Sequence, residues 1–149
     1  MRPAAVHPAN DAWEALLAAH AALMKEFAAR DSWAEVSMRE YDVLYTLSKC
    51  GSPARLGELH RHVLLSQPAL SRLVRRLTAR GLVECQDDPA DGRIVRVSLT
   101  ETGRQLQRQV GRRHARDVAR AMTARLGPAE LEELAVIGRK LAGGRENHR

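Results

Sequence analysis

Apolar residues in the first thirty positions recur at helical spacing. Trp13, Leu16, Leu17, Leu23, Met24 and Phe27 form one stripe with His20 inside it, which predicts a long amphipathic helix over 10–30. A second helix is predicted after "DSWAEV". Ser37 and Glu40 stand at the spacing of a capping box, Tyr41, Leu44 and Leu47 follow on one face, and Cys50-Gly51-Ser52-Pro53 ends it. A short third helix over 55–63 turns Leu56, Leu59 and Val63 inward. Ser66 caps a fourth, with Pro68 in the first turn, where a missing N–H is tolerated, and Gly81 as a left-handed C-cap.

The period then changes from helical to alternating. "LVECQ" and "RIVRVSL" read as antiparallel strands around the turn "DDPADG", with Val95, Val97 and Leu99 on one face. From Thr100 a fifth helix runs to about 126. Its row Leu106, Val110, His114, Val118, Met122 and Leu126 recurs every four residues, so each step advances about 40° around the axis. The two ends of that row must face different neighbours, the body of the chain at one end and a partner subunit at the other. Gly127-Pro128 breaks the chain. A last helix carries Leu131, Leu134, Ile137 and Leu141 before the polar tail "GGRENHR". The fold class expected is mainly α with a small β-hairpin: six helices, a helix-turn-helix followed by a wing.

Composition adds little until charge is placed. The 149 residues suffice for one domain with a core. Neither a run of about 18 apolar residues nor a signal peptide's apolar segment is present, so a cytoplasmic protein with no membrane partner is expected. Cys50 and Cys85 match no disulfide framework or metal-ligand spacing and are expected as partly buried thiols in a reducing compartment. Basic residues number 24 against 18 acids, a net charge of +6, and only Lys25, Lys49 and Lys140 are lysine. Forked guanidinium groups suit phosphate and base-edge partners.

Those arginines concentrate on the fourth helix. Leu70, Leu73, Val74 and Leu77 share one face; Pro68, Ser71, Arg72, Arg75 and Ala79 lie opposite, with Arg76 on the shoulder. From Ser66 to Arg80 there are four arginines and no acid, whereas a solvated face normally mixes signs. The small residues Pro68, Ala69 and Ser71 let that end approach closely, as insertion in a major groove requires. In the hairpin, Arg93 at the tip suits the narrow, electronegative minor groove. Phosphates repel carboxylates, so Asp88 and Asp91 are expected to build the turn and hold a guanidinium.

"LSQPALSRLVRRLTARGLVECQDDPADGRIVRVSLTETG" resembles the recognition helix and wing of MarR-type transcriptional regulators. The shared residues are Arg76, Leu77, Gly81, Leu82 and Val83; Asp88, Pro89, Asp91 and Arg93; and Leu99, Thr100 and Gly103. The resemblance implies a homodimeric winged helix-turn-helix regulator, a repressor of a pseudo-palindromic operator in double-stranded DNA. It implies dimerisation through helices in 1–36 and 100–149, with the DNA-binding lobe over 37–99. It also implies DNA contacts from Gln67, Pro68, Ala69, Ser71, Arg72 and Arg75, and Arg93 in the minor groove; Ser66 at the start of that helix and Arg76 on its shoulder are expected to join them. Gly92 stands where many members carry arginine, which removes one phosphate contact.

Members of that family often take a small aromatic or anionic effector between the dimer helices and the DNA-binding lobe. Trp13, His20, Met24, Tyr41, Asp42 and Tyr45 are the candidate lining; the alternative is that the rings only pack the core and dimer interface. No cofactor and no metal site is expected, since His60, His62 and His114 have no carboxylate or cysteine at a ligand spacing. No G-x-S-x-G, P-loop, H-E-x-x-H or paired-carboxylate motif points to an enzyme. The alternative function is a winged-helix module for protein contacts.

Overall fold

The computed structural model describes residues 6–51 and 53–143, so Ser52 and the tail from 144 onward lie outside the described residues. Its elements are α1 (Val6–Ala28), a 3-10 turn (Asp31–Trp33), α2 (Met38–Lys49), β1 (Ala54–Arg55), α3 (Leu56–His60) and α4 (Gln67–Ala79). After them come β2 (Val83–Asp87), β3 (Val95–Leu99), α5 (Glu101–Thr123) and α6 (Pro128–Leu141). Among the described residues there are six α-helices and a wing hairpin, as the periodicity predicts.

The local signals act as their chemistry requires. Ser37 and Glu40 exchange both capping-box bonds, Glu40 N to Ser37 Oγ at 3.1 Å and Ser37 N to Glu40 Oε2 at 3.0 Å. Ser66 Oγ accepts from Ala69 N at the start of α4. At the other end Gly81 takes φ +69°, and the N–H groups of Gly81 and Leu82 return to the carbonyls of Thr78 and Leu77, which is a Schellman motif. Three boundaries differ from expectation. α1 is already helical at Val6, the first described residue, ahead of the expected start at Asn10. α3 stops at His60 and α5 at Thr123, each a turn or less short of the periodic pattern.

The sheet has one strand more than the hairpin. β1 pairs antiparallel with β3 (Ala54 opposite Val97, Arg55 opposite Arg96), and β3 pairs with β2 from Val83–Leu99 to Asp87–Val95, giving the order β1-β3-β2. Ala54, Val83, Val97 and Leu99 are buried with Val43, Leu44 and Leu47 of α2, Leu59 of α3, Val110 of α5, and Leu70, Leu73, Val74 and Leu77 of α4. Full burial of each such valine or leucine side chain contributes about 1.5–3 kcal/mol. The basic helix is thus fixed by its apolar face. The joint after the wing is equally close: Thr100 Oγ1 donates to the Gly81 carbonyl at 2.6 Å and accepts from Gly103 N, while Thr100 N donates to the Leu82 carbonyl. A Cβ on Gly103 would stand 1.9 Å from that carbonyl oxygen, so only glycine fits.

Two compact units divide the chain, one of Ala28–His114 and one of the segments up to Phe27 and from Ala115 onward. The core just described belongs to the first. α5 contributes Leu106 and Val110 to that core and leaves the unit after His114, so the two halves of its four-residue row lie in different units. In the second unit only Phe27 and Ala121 are buried among the described hydrophobics. Trp13 (58% exposed), Leu16, Leu17, Leu134, Val136, Ile137 and Leu141 (69%) remain open. No helix among the described residues is long and apolar enough to cross a membrane.

Candidate nucleic-acid interface

Each side of α4 is settled by burial. Leu70 and Leu77 are fully buried, Leu73 and Val74 nearly so, whereas Ser66, Gln67, Pro68, Arg72, Arg75 and Arg76 are exposed and Ala69 and Ser71 half-buried. No ion pair among the described residues involves Arg72, Arg75 or Arg76, so their charge is available to an outside partner. Arg80 is different. It donates to Glu40 Oε2 at 3.3 Å and to the Glu35 carbonyl, pinning the end of α4 to the segment before α2. Glu35 in turn pairs with Arg113 of α5, and that hydrogen bond holds its carboxyl below the usual range.

At the wing, the two acids have distinct tasks. The Asp88 side chain is 1% exposed; its Oδ1 accepts from Ala90 N at 2.8 Å and its Oδ2 from Arg96 Nε at 2.8 Å, with Arg55 Nε at 3.5 Å. The Ala90 amide, then the Arg96 hydrogen bond and the charges of Arg96 and Arg55, hold the carboxyl below its ordinary range despite burial. Asp91 takes Arg93: Oδ1 accepts from both the backbone N (3.0 Å) and Nε (3.2 Å). The Arg93 side chain is nonetheless 90% exposed, so Asp91 orients a guanidinium that still faces outward. Sequence spacing does not show Arg55 and Arg96 as the partners of Asp88, because β1 brings Arg55 there from another part of the chain.

Asp42 and Tyr45 come together on a cleft of about 580 Å³ with Thr46, Lys49, Cys50, His62, Val63 and Leu64. Lys49 Nζ lies over the Tyr45 ring, 5.0 Å from its centroid. Burial pushes the Asp42 carboxyl up, and the charge of His114 opposes that. Tyr41 turns instead into the core, packed against Trp33 and His114. Trp13, His20 and Met24 are exposed on α1, in the other unit. The cysteines correct an expectation: both are exposed, not partly buried, because Cys50 lies past the end of α2 and Cys85 on the outer strand of the sheet. No group of three or more His, Cys, Asp or Glu placed to hold a metal occurs among the described residues.

Residues 35–94 match the MarR family. A curated relative, the HTH-type transcriptional repressor IacR of Pseudomonas putida, is 28% identical over 71 residues, which is 48% of this chain and 42% of that protein's length. Similar solved structures extend the likeness over nearly the whole chain. The MarR family regulator Sco3205 of Streptomyces coelicolor, solved in complex with DNA, is 26% identical with a TM-score of 0.77, covering 93% of this chain and 88% of that one. BpsR of Bordetella bronchiseptica, whose DNA binding is regulated by 6-hydroxynicotinic acid, is 25% identical with a TM-score of 0.75, covering 89% and 98%. The arginine-faced helix and the acid-braced wing tip lie within the segment that matches the MarR family, and the chain shares the architecture of MarR family winged helix-turn-helix regulators.

Proposed function

We propose that the chain is a homodimeric, sequence-specific regulator that represses a pseudo-palindromic operator in double-stranded DNA. The observation that carries this is the two-sided α4. Its apolar face is buried while Arg72, Arg75 and Arg76 stand exposed without an internal acid. In this reading Gln67, Pro68, Ala69, Ser71, Arg72 and Arg75 meet base edges and phosphates in the major groove, with Ser66 at the rim and Arg76 on a phosphate. Arg93, oriented by Asp91 on a tip fixed by Asp88, enters the minor groove. Dimerisation uses the exposed apolar side chains of α1 and α6, a patch of the kind that marks an association surface.

Two copies would present two recognition helices one helical turn of DNA apart, hence the expected inverted repeat. A small aromatic or anionic effector would act by preferring one spacing of the two helices, and its differential affinity sets the size of the response. The regulation of BpsR by 6-hydroxynicotinic acid supports that class of ligand. Selection of bound sites from a random duplex pool with purified protein tests the function. An enriched inverted repeat is the expected result; a pool that stays random after repeated rounds rejects sequence-specific binding.

A further inference from the structure

α5 carries a second basic row that the recognition surface does not include. Arg104, Arg108 and Arg112 recur every four residues and are exposed, and the same spacing continues through Arg116 and Arg120 of that helix. The row stands two residues, about 200°, from Leu106 and Val110, so it is the outer side of the helix where those two enter the core. Arg108 meets Glu101 at 3.5 Å, and no ion pair among the described residues involves Arg104 or Arg112. A solvated helix gains from opposite charges at this spacing; here each step sets like charges side by side and is repulsive.

We propose that this row binds the phosphates of DNA flanking the operator, an inference that rests on the DNA-binding reading of α4. Two observations favour phosphate over an acidic protein. Arginines about 6 Å apart along the axis, with Gln105 and Gln109 among them, offer hydrogen-bond donors and no apolar or aromatic anchor, which the centre of a protein interface requires. The row also begins within the DNA-binding lobe, where the recognition helix ends, because Thr100 ties the start of α5 to the carbonyls of Gly81 and Leu82 just past the C-terminal end of α4.

The test uses the full chain and its R104Q/R112Q variant, which leaves the Arg108–Glu101 pair in place. Binding is titrated against salt on two duplexes, the selected operator alone and the operator extended by about one helical turn, roughly ten base pairs, on each side. On the extended duplex the slope of log K against log salt should become shallower by about 0.9 for each lost phosphate contact, about 3.6 for the arginines lost from both copies of the dimer, with the operator-to-random ratio unchanged. An unchanged slope there overturns the proposal. R72A/R75A is run alongside: if it weakens binding while R104Q/R112Q does not, the row fails and the reading of α4 stands, and if neither changes anything the reading of α4 fails as well. Without DNA at low salt, the double glutamine variant should melt at or above the parent's Tm, since repulsion is relieved. A lower Tm would assign the arginines to the fold and also overturn the proposal.

Discussion

Gly103→Ala is the perturbation whose sign depends most on the structure. Alanine is a better helix former than glycine by about 1 kcal/mol, so an open position in the first turn of α5 would gain stability. Gly103 is not open. A Cβ there falls 1.9 Å from the Leu82 carbonyl oxygen and 2.8 Å from the carbonyl carbon, both backbone atoms, and separations under 3.0 Å essentially never occur. The start of α5 must therefore withdraw from Leu82 by roughly an ångström, with the Thr100 bonds to Gly81 and Leu82 stretched or lost. Overpacking of this kind costs about 1–3 kcal/mol, and each weakened hydrogen bond about 0.5–1.5 kcal/mol more. After the helix-forming gain is subtracted, a net loss of roughly 2–4 kcal/mol remains, a large part of the about 5–15 kcal/mol that holds a domain folded. Urea and thermal unfolding followed by circular dichroism measure it, with an expected fall in Tm of about 5–15 °C. Gly57→Ala is the control, since nothing lies within 4 Å of a Cβ there, and it should be neutral or stabilising by up to about 1 kcal/mol. A Gly103→Ala protein as stable as the parent would refute the reasoning.

Other substitutions test other parts of the molecule. Ser66→Ala removes the cap on α4 and should cost about 1 kcal/mol in denaturant unfolding. Arg72→Ala or Arg75→Ala should cost about 1–3 kcal/mol of operator affinity where the side chain reads a base, with the fold intact by circular dichroism. Because the Asp88 carboxyl is held below its ordinary value of about 3.9, it stabilises the wing fully above that pH and progressively less as pH falls through the depressed value. Acid titration of wing amide signals should show this loss, and Asp88→Asn should abolish that pH dependence. Ile137→Glu should shift the protein from dimer to monomer in analytical ultracentrifugation; an unaltered dimer would place the interface elsewhere.

What was legible in the sequence is what short-range physics decides. Ser37 and Glu40, Ser66, Pro68 and Gly81 are capping signals whose partners lie within four residues, and each acts in the structure as its type requires. The faces of α4 and β3 follow from periodicity in the same way. What was hidden depends on contacts between distant segments. β1 is two residues long, too short for any alternation, and exists because Ala54 and Arg55 find Val97 and Arg96. Arg80 counts as one more positive charge on the fourth helix until Glu40, forty residues away, claims it. Gly103 belongs to a recognisable motif, but its reason, the approach of the Leu82 carbonyl, is a tertiary fact. Tyr41 and Asp42 are neighbours in sequence and diverge in space, one into the core and the other onto a cleft, because successive helical residues point about 100° apart.

The exposed arginine side of α4 makes its central claim on DNA, and one titration tests it most directly. Purified protein is measured against the selected inverted repeat and against a scrambled duplex of equal length at several salt concentrations. The expected result is tight, salt-dependent binding with the repeat favoured by about a thousandfold or more. Equal, weak binding to both duplexes would contradict it.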